Sequence, residues 1–219
     1  SWGDFDFNAT LGGNLYKVNN QTIVTTAKDM KIRDVVALMS FNEVSVEPYS
    51  YRKQINSVYG TVNLGWKHML YFDATLRGDQ SSTLPISNNM YIYPSFSGSF
   101  VFSELLKLGD KLPYGKVRMS WAQVGSDTDP YQLGLVYTKS KFAYPGYTIG
   151  YISNGTIPNK DLKPTKTNSF EMGLELKFLK NRIGLDFTYY SQLSKNQIMG
   201  MASSSTSGYG YRLINAGEI

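Results

Sequence analysis

The stretch SVYGTVNLGWKHMLYFDATLR, residues 57–77, decides the fold. Val58, Gly60, Val62, Leu64 and Trp66 occupy one phase, and Ser57, Tyr59, Thr61, Asn63 and Gly65 occupy the other. After Lys67-His68-Met69 the alternation resumes, with Leu70, Phe72, Ala74 and Leu76 set against Tyr71, Asp73, Thr75 and Arg77. A period of two marks a β-strand, whose successive side chains point to opposite faces. Two such runs separated by three residues predict a tight antiparallel hairpin.

Working outward, five more segments carry the same period. Their apolar phases are Phe5, Phe7, Ala9, Leu11, Gly13 and Leu15; Phe96, Gly98, Phe100 and Phe102; Val117, Met119 and Trp121; Phe170, Met172, Leu174, Leu176 and Phe178; and Ile183, Leu185, Phe187 and Tyr189. Across all seven segments the apolar phase holds no charged residue, whereas the opposite phase holds Asp6, Asp73, Arg77, Arg118, Glu171, Glu175, Lys177 and Asp186. An Arg or Lys facing mid-bilayer costs roughly 2–4 kcal/mol, so a charge-free face is what a transmembrane barrel requires. A soluble β-sandwich also alternates apolar-in with polar-out, and periodicity alone leaves it open.

Connection lengths favour the barrel. Trp66 to Leu70 and Phe178 to Ile183 are short links and Phe102 to Val117 a medium one, while long connections are expected at 17–54, 126–166 and 191–210. Outer-membrane barrels close one end with turns and carry long extracellular loops at the other. Trp66, Phe102 and Phe178 each end an apolar phase beside a shorter link, where they would form an aromatic girdle at one membrane interface. No apolar run approaches the roughly 18 residues of a transmembrane helix, which excludes a helical membrane protein. The 17 Tyr, 11 Phe and 20 Gly favour strands. The 22 Lys and Arg against 17 Asp and Glu include no run of five like charges, so no nucleic-acid partner is expected. Ser1-Trp2-Gly3-Asp4 lacks the basic and apolar regions of a leader, and a fragment or processed product is expected. The fold class is therefore read as all-β: an antiparallel transmembrane β-barrel segment of about seven or eight strands, with residues 1–219 forming part of one barrel domain.

The string Arg77-x-Asp79-x-Ser81-Ser82, followed by Tyr93-Pro94-Ser95 and Glu104, resembles the SusC/RagA-like branch of TonB-linked outer-membrane transporters of Bacteroidetes-type bacteria. GKVRMSWAQVGSD from Gly115, the run beginning LKPTKTNSFEMG at Leu162, and the C-terminal INAGEI add to the likeness. The resemblance implies an outer-membrane, multi-pass importer of oligosaccharides or, second, peptides. It implies a barrel of roughly 22 strands closed by a plug, a SusD-like lipoprotein outside, and energy coupling through TonB-ExbB-ExbD. The plug, the TonB box and the closing C-terminal strand that the resemblance implies are expected to lie outside residues 1–219. Two rival functions stay open: a soluble secreted glycan-binding sandwich, and a barrel serving only as scaffold or receptor.

Tyr71, Asp73, Arg77, Arg118, Glu171, Glu175, Asp186 and Tyr190 lie on the polar phase and are the expected lumen-lining residues. Arg77 and Asp79 are expected to order a strand-to-loop junction, with Ser81 and Ser82 bonding local backbone. Tyr49, Tyr51, Tyr131, Tyr137, Phe142, Tyr144, Tyr147 and Tyr151 fall in the expected loops, where aromatic rings could stack on sugars or pack against a partner. Val35 to Met39 could form a short helix or strand within the first long loop. His68 is the only histidine, sits in the predicted turn, and the chain has no Cys, so neither a catalytic residue, a metal site nor a cofactor is expected.

Overall fold

Strands in hydrocarbon must pair every backbone N–H and C=O with a neighbour, because no water is available to do so. The computed structural model, which describes residues 3–107, 109, 112–139, 145–152 and 155–219, meets that demand with a single curled half-barrel sheet. The strands are β1 (Phe5–Met30), β2 (Phe41–Trp66), β3 (Leu70–Ser81), β4 (Met90–Val101), β5 (Tyr114–Ser126), β6 (Tyr137–Lys139), β7 (Gly150–Ile152), β8 (Thr156–Ile157), β9 (Thr165–Phe178), β10 (Ile183–Ala202) and β11 (Tyr211–Glu218). Nine of them join in the order β1-β2-β3-β4-β5-β9-β10-β11-β8, and β6 pairs with β7 apart. All pairings are antiparallel except that of β11 with the two-residue β8.

The register brings the seven apolar phases onto one face. Phe7 lies opposite Leu64, Leu64 opposite Phe72, Phe72 opposite Gly98, and the row continues through Met119, Met172 and Tyr189. The row below it runs Phe5, Trp66, Leu70, Phe100, Val117, Leu174 and Phe187. Phe96 stacks between Phe72 and Trp121, with ring centroids 6.5 and 6.0 Å away. Among the described residues no second sheet covers this face: Leu11 is 83% exposed and Phe7 66%. A sandwich would have buried it.

The expected loops differ from what is found. Residues 17–54 are mostly strand: β1 and β2 run 26 residues each, with a turn only at 31–40. At about 3.4 Å per residue each strand spans roughly 85 Å, against about 30 Å of hydrocarbon. Where the hairpin stands clear of lipid both faces meet water, so the alternation lapses while the hydrogen-bond ladder continues. The sequence signal marks only the lipid-facing part. Likewise β10 extends to Ala202, which shrinks the connection expected at 191–210 to residues 203–210. The Val35–Met39 cluster supplies one 3-10 turn, Leu38–Ser40, and Val36 remains 90% exposed.

The short links are turns. Lys67 and His68 take φ of 50° and 54°, and Leu179, Lys180 and Asn181 take 51°, 57° and 66°. Left-handed residues suit the right-handed twist of a hairpin. These turns lock the register, because a slip of one residue would turn every side chain to the other face. We expect Leu64→Arg or Phe72→Arg to lower the stability of the full-length barrel in lipid vesicles by roughly 2–4 kcal/mol. Gln192→Arg, on the polar face, should change it by less than about 0.5 kcal/mol. Chemical denaturation would read both, and equal losses would contradict the assignment of faces.

Candidate functional site: the polar wall and its upper collar

The polar phase of β3 carries a ladder of hydrogen bonds to its neighbours. Asp73 accepts from Asn63 Nδ2 at 2.6 Å and from Ser97 Oγ at 2.9 Å, joining β2, β3 and β4. Two turns of the alternation higher, Arg77 donates from Nε to Asp79 at 2.9 Å and from Nη2 to Ser57 Oγ at 3.0 Å, and Tyr93 donates its hydroxyl to Asp79. Asp79 is only 6% exposed. Such a carboxylate needs its charge-assisted donors, since a buried charge without partners is costly.

Beyond Asp79 the ladder closes on a residue the sequence did not single out. Asp127, just after β5, receives Ser81 Oγ, Thr83 Oγ1 at 3.1 Å and Lys53 Nζ at 2.7 Å. The Lys53 and Asp127 side chains are 20% and 11% exposed, so this pair is shielded in a way surface ion pairs are not. Ser82 turns the other way: its hydroxyl accepts the Gln54 N–H, and its N–H donates to the Gln54 carbonyl, both at 2.9 Å. Next to this lies the buried cluster Leu84, Tyr91, Leu162 and Leu213. Asn215 grips the backbone of Lys163 there, accepting its N–H at 2.8 Å and donating to its carbonyl at 2.7 Å.

The remaining polar-phase residues spread along β5, β9 and β10. Arg118 reaches Asp186 at 3.3 Å, Thr188 Oγ1 at 2.7 Å and Glu171 at 3.8 Å, and its stem lies over Gly173 so closely that a Cβ there would sit 2.3 Å from Nε. Glu175 pairs with Lys177 at 3.5 Å, and Lys177 lies 4.8 Å above the Tyr114 ring. Tyr71 and Tyr190 project from the same face, 38% and 76% exposed.

The aromatic candidates divide. Tyr49 and Tyr51 are on β2 rather than in a loop, in the same phase as Lys53, and the Tyr49 hydroxyl donates to Glu47 at 2.7 Å. Tyr131 accepts the Arg52 N–H at 3.1 Å, which covers the edge of β2 above the end of β3. Tyr137 and Tyr151 belong to the β6–β7 pair, and Tyr147 precedes it. Phe142 and Tyr144 lie outside the described residues. At the opposite end Trp66 lies 6.3 Å from Phe5 and beneath Lys67, and Phe178 meets Ile183 at the turn. Phe102 does not continue β4 as expected; it opens a short helix, α1 (Phe102–Leu106), and its ring covers Gly115. Among the described residues no group of three His, Cys, Asp or Glu could hold a metal.

A curled antiparallel sheet with a charge-free outer face and a hydrogen-bonded polar inner face is the wall of an outer-membrane β-barrel. This chain belongs to the family of TonB dependent receptor-like β-barrels, whose model matches residues 1–219. It is 26% identical over 221 residues to TonB-dependent receptor P3 of Formosa agariphila, covering 95% of this chain and 22% of that protein. It is 30% identical over 147 residues to TonB-dependent receptor SusC of Bacteroides thetaiotaomicron, covering 63% and 15%. The structure of the RagAB peptide transporter matches with a TM-score of 0.87 at 20% identity, over 98% of this chain and 24% of that one. The siderophore receptor PirA of Pseudomonas aeruginosa matches at 0.58 and 16%, over 100% and 35%. The chain thus spans less than a quarter of the length of the curated relatives it matches.

Asp127→Ala strands Lys53 in a shielded site and removes two hydroxyl contacts. The expected loss in stability of the full-length protein is roughly 2–3 kcal/mol, accompanied by faster proteolysis within residues 128–136. The double variant with Lys53→Met should recover part of it in a mutant cycle; additive losses would show that the two side chains do not act together.

Proposed function

We propose that residues 1–219 form part of the wall of a TonB-dependent importer for a bulky nutrient, an oligosaccharide ahead of a peptide. The full protein works with a SusD-like surface lipoprotein and draws energy from TonB-ExbB-ExbD through a plug outside these residues. One observation carries this reading: the polar wall rises without a break from Tyr71 through Asp79 into a ladder that stands well beyond the membrane. Such a wall gives a large solute a continuous hydrated surface from the cell exterior to the barrel lumen.

The geometry supports the following residue roles. Asp73, Arg118, Glu171 and Asp186 keep the wall polar through contacts made across strands, and Glu175 through its pair with Lys177 along β9, where charge stays hydrated or matched. Arg77 and Asp79 fix the junction of β3 with its loop. Tyr71 and Tyr190, with rings free to meet solute, supply the flat apolar surfaces that sugars stack on. The SusC relative and the RagAB likeness support import of large solutes, and a peptide cargo is the second reading. Trp66, Phe102 and Phe178 mark the periplasmic interface.

In cells lacking the full gene, uptake of fluorescent oligosaccharides should fall to background while monosaccharide uptake is unchanged, and loss of TonB should give the same result. Tyr190→Ala should weaken uptake at low substrate by roughly threefold to tenfold. Peptide uptake lost with oligosaccharide uptake intact would move the cargo to peptides. Retention of both would end the importer reading.

A further inference from the structure

Some glycines of the sheet lie under a neighbour's side chain and others lie open. A Cβ on Gly12 would meet the Tyr59 ring at 2.5 Å, one on Gly173 the Arg118 side chain at 2.3 Å, and one on Gly115, in the charge-free phase, the Phe102 ring at 2.4 Å. On the charge-free face Gly13, Gly60 and Gly78 have nothing nearer than 3.5 Å above a built Cβ. They sit in adjacent cross-strand rows, Gly13 with Val58 and Gly78, and Leu11 with Gly60 and Leu76. Ringed by Leu11, Leu15, Leu76, Met90 and Ile92, they floor an open groove of about 860 Å³.

The groove has a defined height and a polar end. A strand crosses the hydrocarbon in about 9–11 residues, and Gly78 stands eight positions beyond Leu70 at the turn end, which sets it in the outer leaflet. In the next row outward Asn56 and Gln80 face each other, and above them Lys17 lies opposite Gln54 and Arg52 opposite Asn19. On this face β1 from Gly13 to Ile23 and β2 from Ser50 to Val58 present no acid. Lys17 and Arg52 are exposed and enter no ion pair among the described residues.

We infer that this groove is a binding site for a single anionic, phosphate-bearing lipid of the outer leaflet. An acyl chain fills the glycine floor, Asn56 and Gln80 meet the polar linkage, and Lys17 with Arg52 takes the phosphate. Charge complementarity selects this occupant: an uncharged chain would leave two cations unmatched at the headgroup level, and a nutrient would not reach the lipid side of the wall. The inference rests on the barrel's orientation in the membrane and is independent of the imported solute.

The full-length protein, extracted in mild detergent, would be titrated with bis-phosphorylated lipid A and, separately, with phosphatidylethanolamine, and bound lipid counted by native mass spectrometry. One lipid A per protein retained in preference to phosphatidylethanolamine is the expected result. Gly60→Leu with Gly78→Leu should cut retention at least about tenfold, and the built Cβ positions meet only ordinary contacts of 3.7 Å or more, so the sheet tolerates them. Lys17→Gln and Arg52→Gln, outside the hydrocarbon, should each weaken lipid A roughly fivefold at low salt and erase the preference. Equal retention of the two lipids by the unaltered protein, or unchanged retention in both sets of variants, would overturn the site. So would another protein bound on this face in place of lipid. Oligosaccharide uptake by the Lys17→Gln, Arg52→Gln protein reads the import proposal separately.

Discussion

Hydrocarbon imposes two demands at once: every backbone polar group must be paired, and no charge can face outward. An antiparallel ladder meets the first demand in any register, but the second only in one phase. Shifting β3 by one residue against β2 would carry Asp73 and Arg77 to the lipid side, and the same slip of β5 would carry Arg118. Each misplaced charge costs a few kcal/mol at mid-bilayer, which is comparable to the stability margin of a whole domain. Register is therefore the quantity on which everything else in this sheet depends. The left-handed turns at 67–68 and 179–181 hold it from one end.

The same constraint explains how charge is distributed across the wall. Polar-phase residues are free to be charged, and several find partners on other strands: Asp73 with Asn63 and Ser97, Arg118 with Glu171 on β9 and Asp186 on β10. These contacts cross the direction of the strands, so they resist shear between neighbours as well as matching charge on that face. Half-exposed pairs of this kind contribute little singly. Their combined effect is to make the correct phase favourable from both faces.

How far the sequence reveals this architecture depends on depth. Inside the bilayer, alternation is compulsory, and the phases read from Phe5–Leu15, Val58–Trp66 and Ile183–Tyr189 come together in the rows they imply. Outside it, nothing obliges residues 17–30 or 41–56 to alternate, so a 26-residue strand looks like a short strand followed by a loop. The Arg77, Asp79 and Ser81 spacing, at every second residue, placed all three on one face in advance. Asp127, the partner of Ser81, could not be found the same way, because a lone Asp after a strand carries no periodic signal and its three donors come from positions 53, 81 and 83. Phe102, expected to end a strand phase, instead opens a helix, since strand phase predicts direction and not where the strand stops.

The motif strings that looked unrelated along the chain meet in space. Asp79 and Ser81 of one string, Tyr93 of the next, Leu162 and Lys163 of a third and Asn215 of the last, with Leu213 just before it, are joined through Asp79–Tyr93, Asn215–Lys163 and the buried cluster around Leu84 and Tyr91. This collar stands where the lipid-facing rows end and the long excursion of residues 127–164 leaves β5 and returns to β9. The described residues of that excursion meet the wall along the way, where Tyr131 accepts the Arg52 N–H and β8 pairs with β11, and at its two ends. Asp127 secures the departing end to β2 and β3, and Leu162 with Lys163 secures the returning end to β11 and the inner face of β4. With both ends fixed, the stretch between them can change without disturbing the wall beneath. The residues that carry the family likeness are thus the ones that make variation above them affordable to the fold.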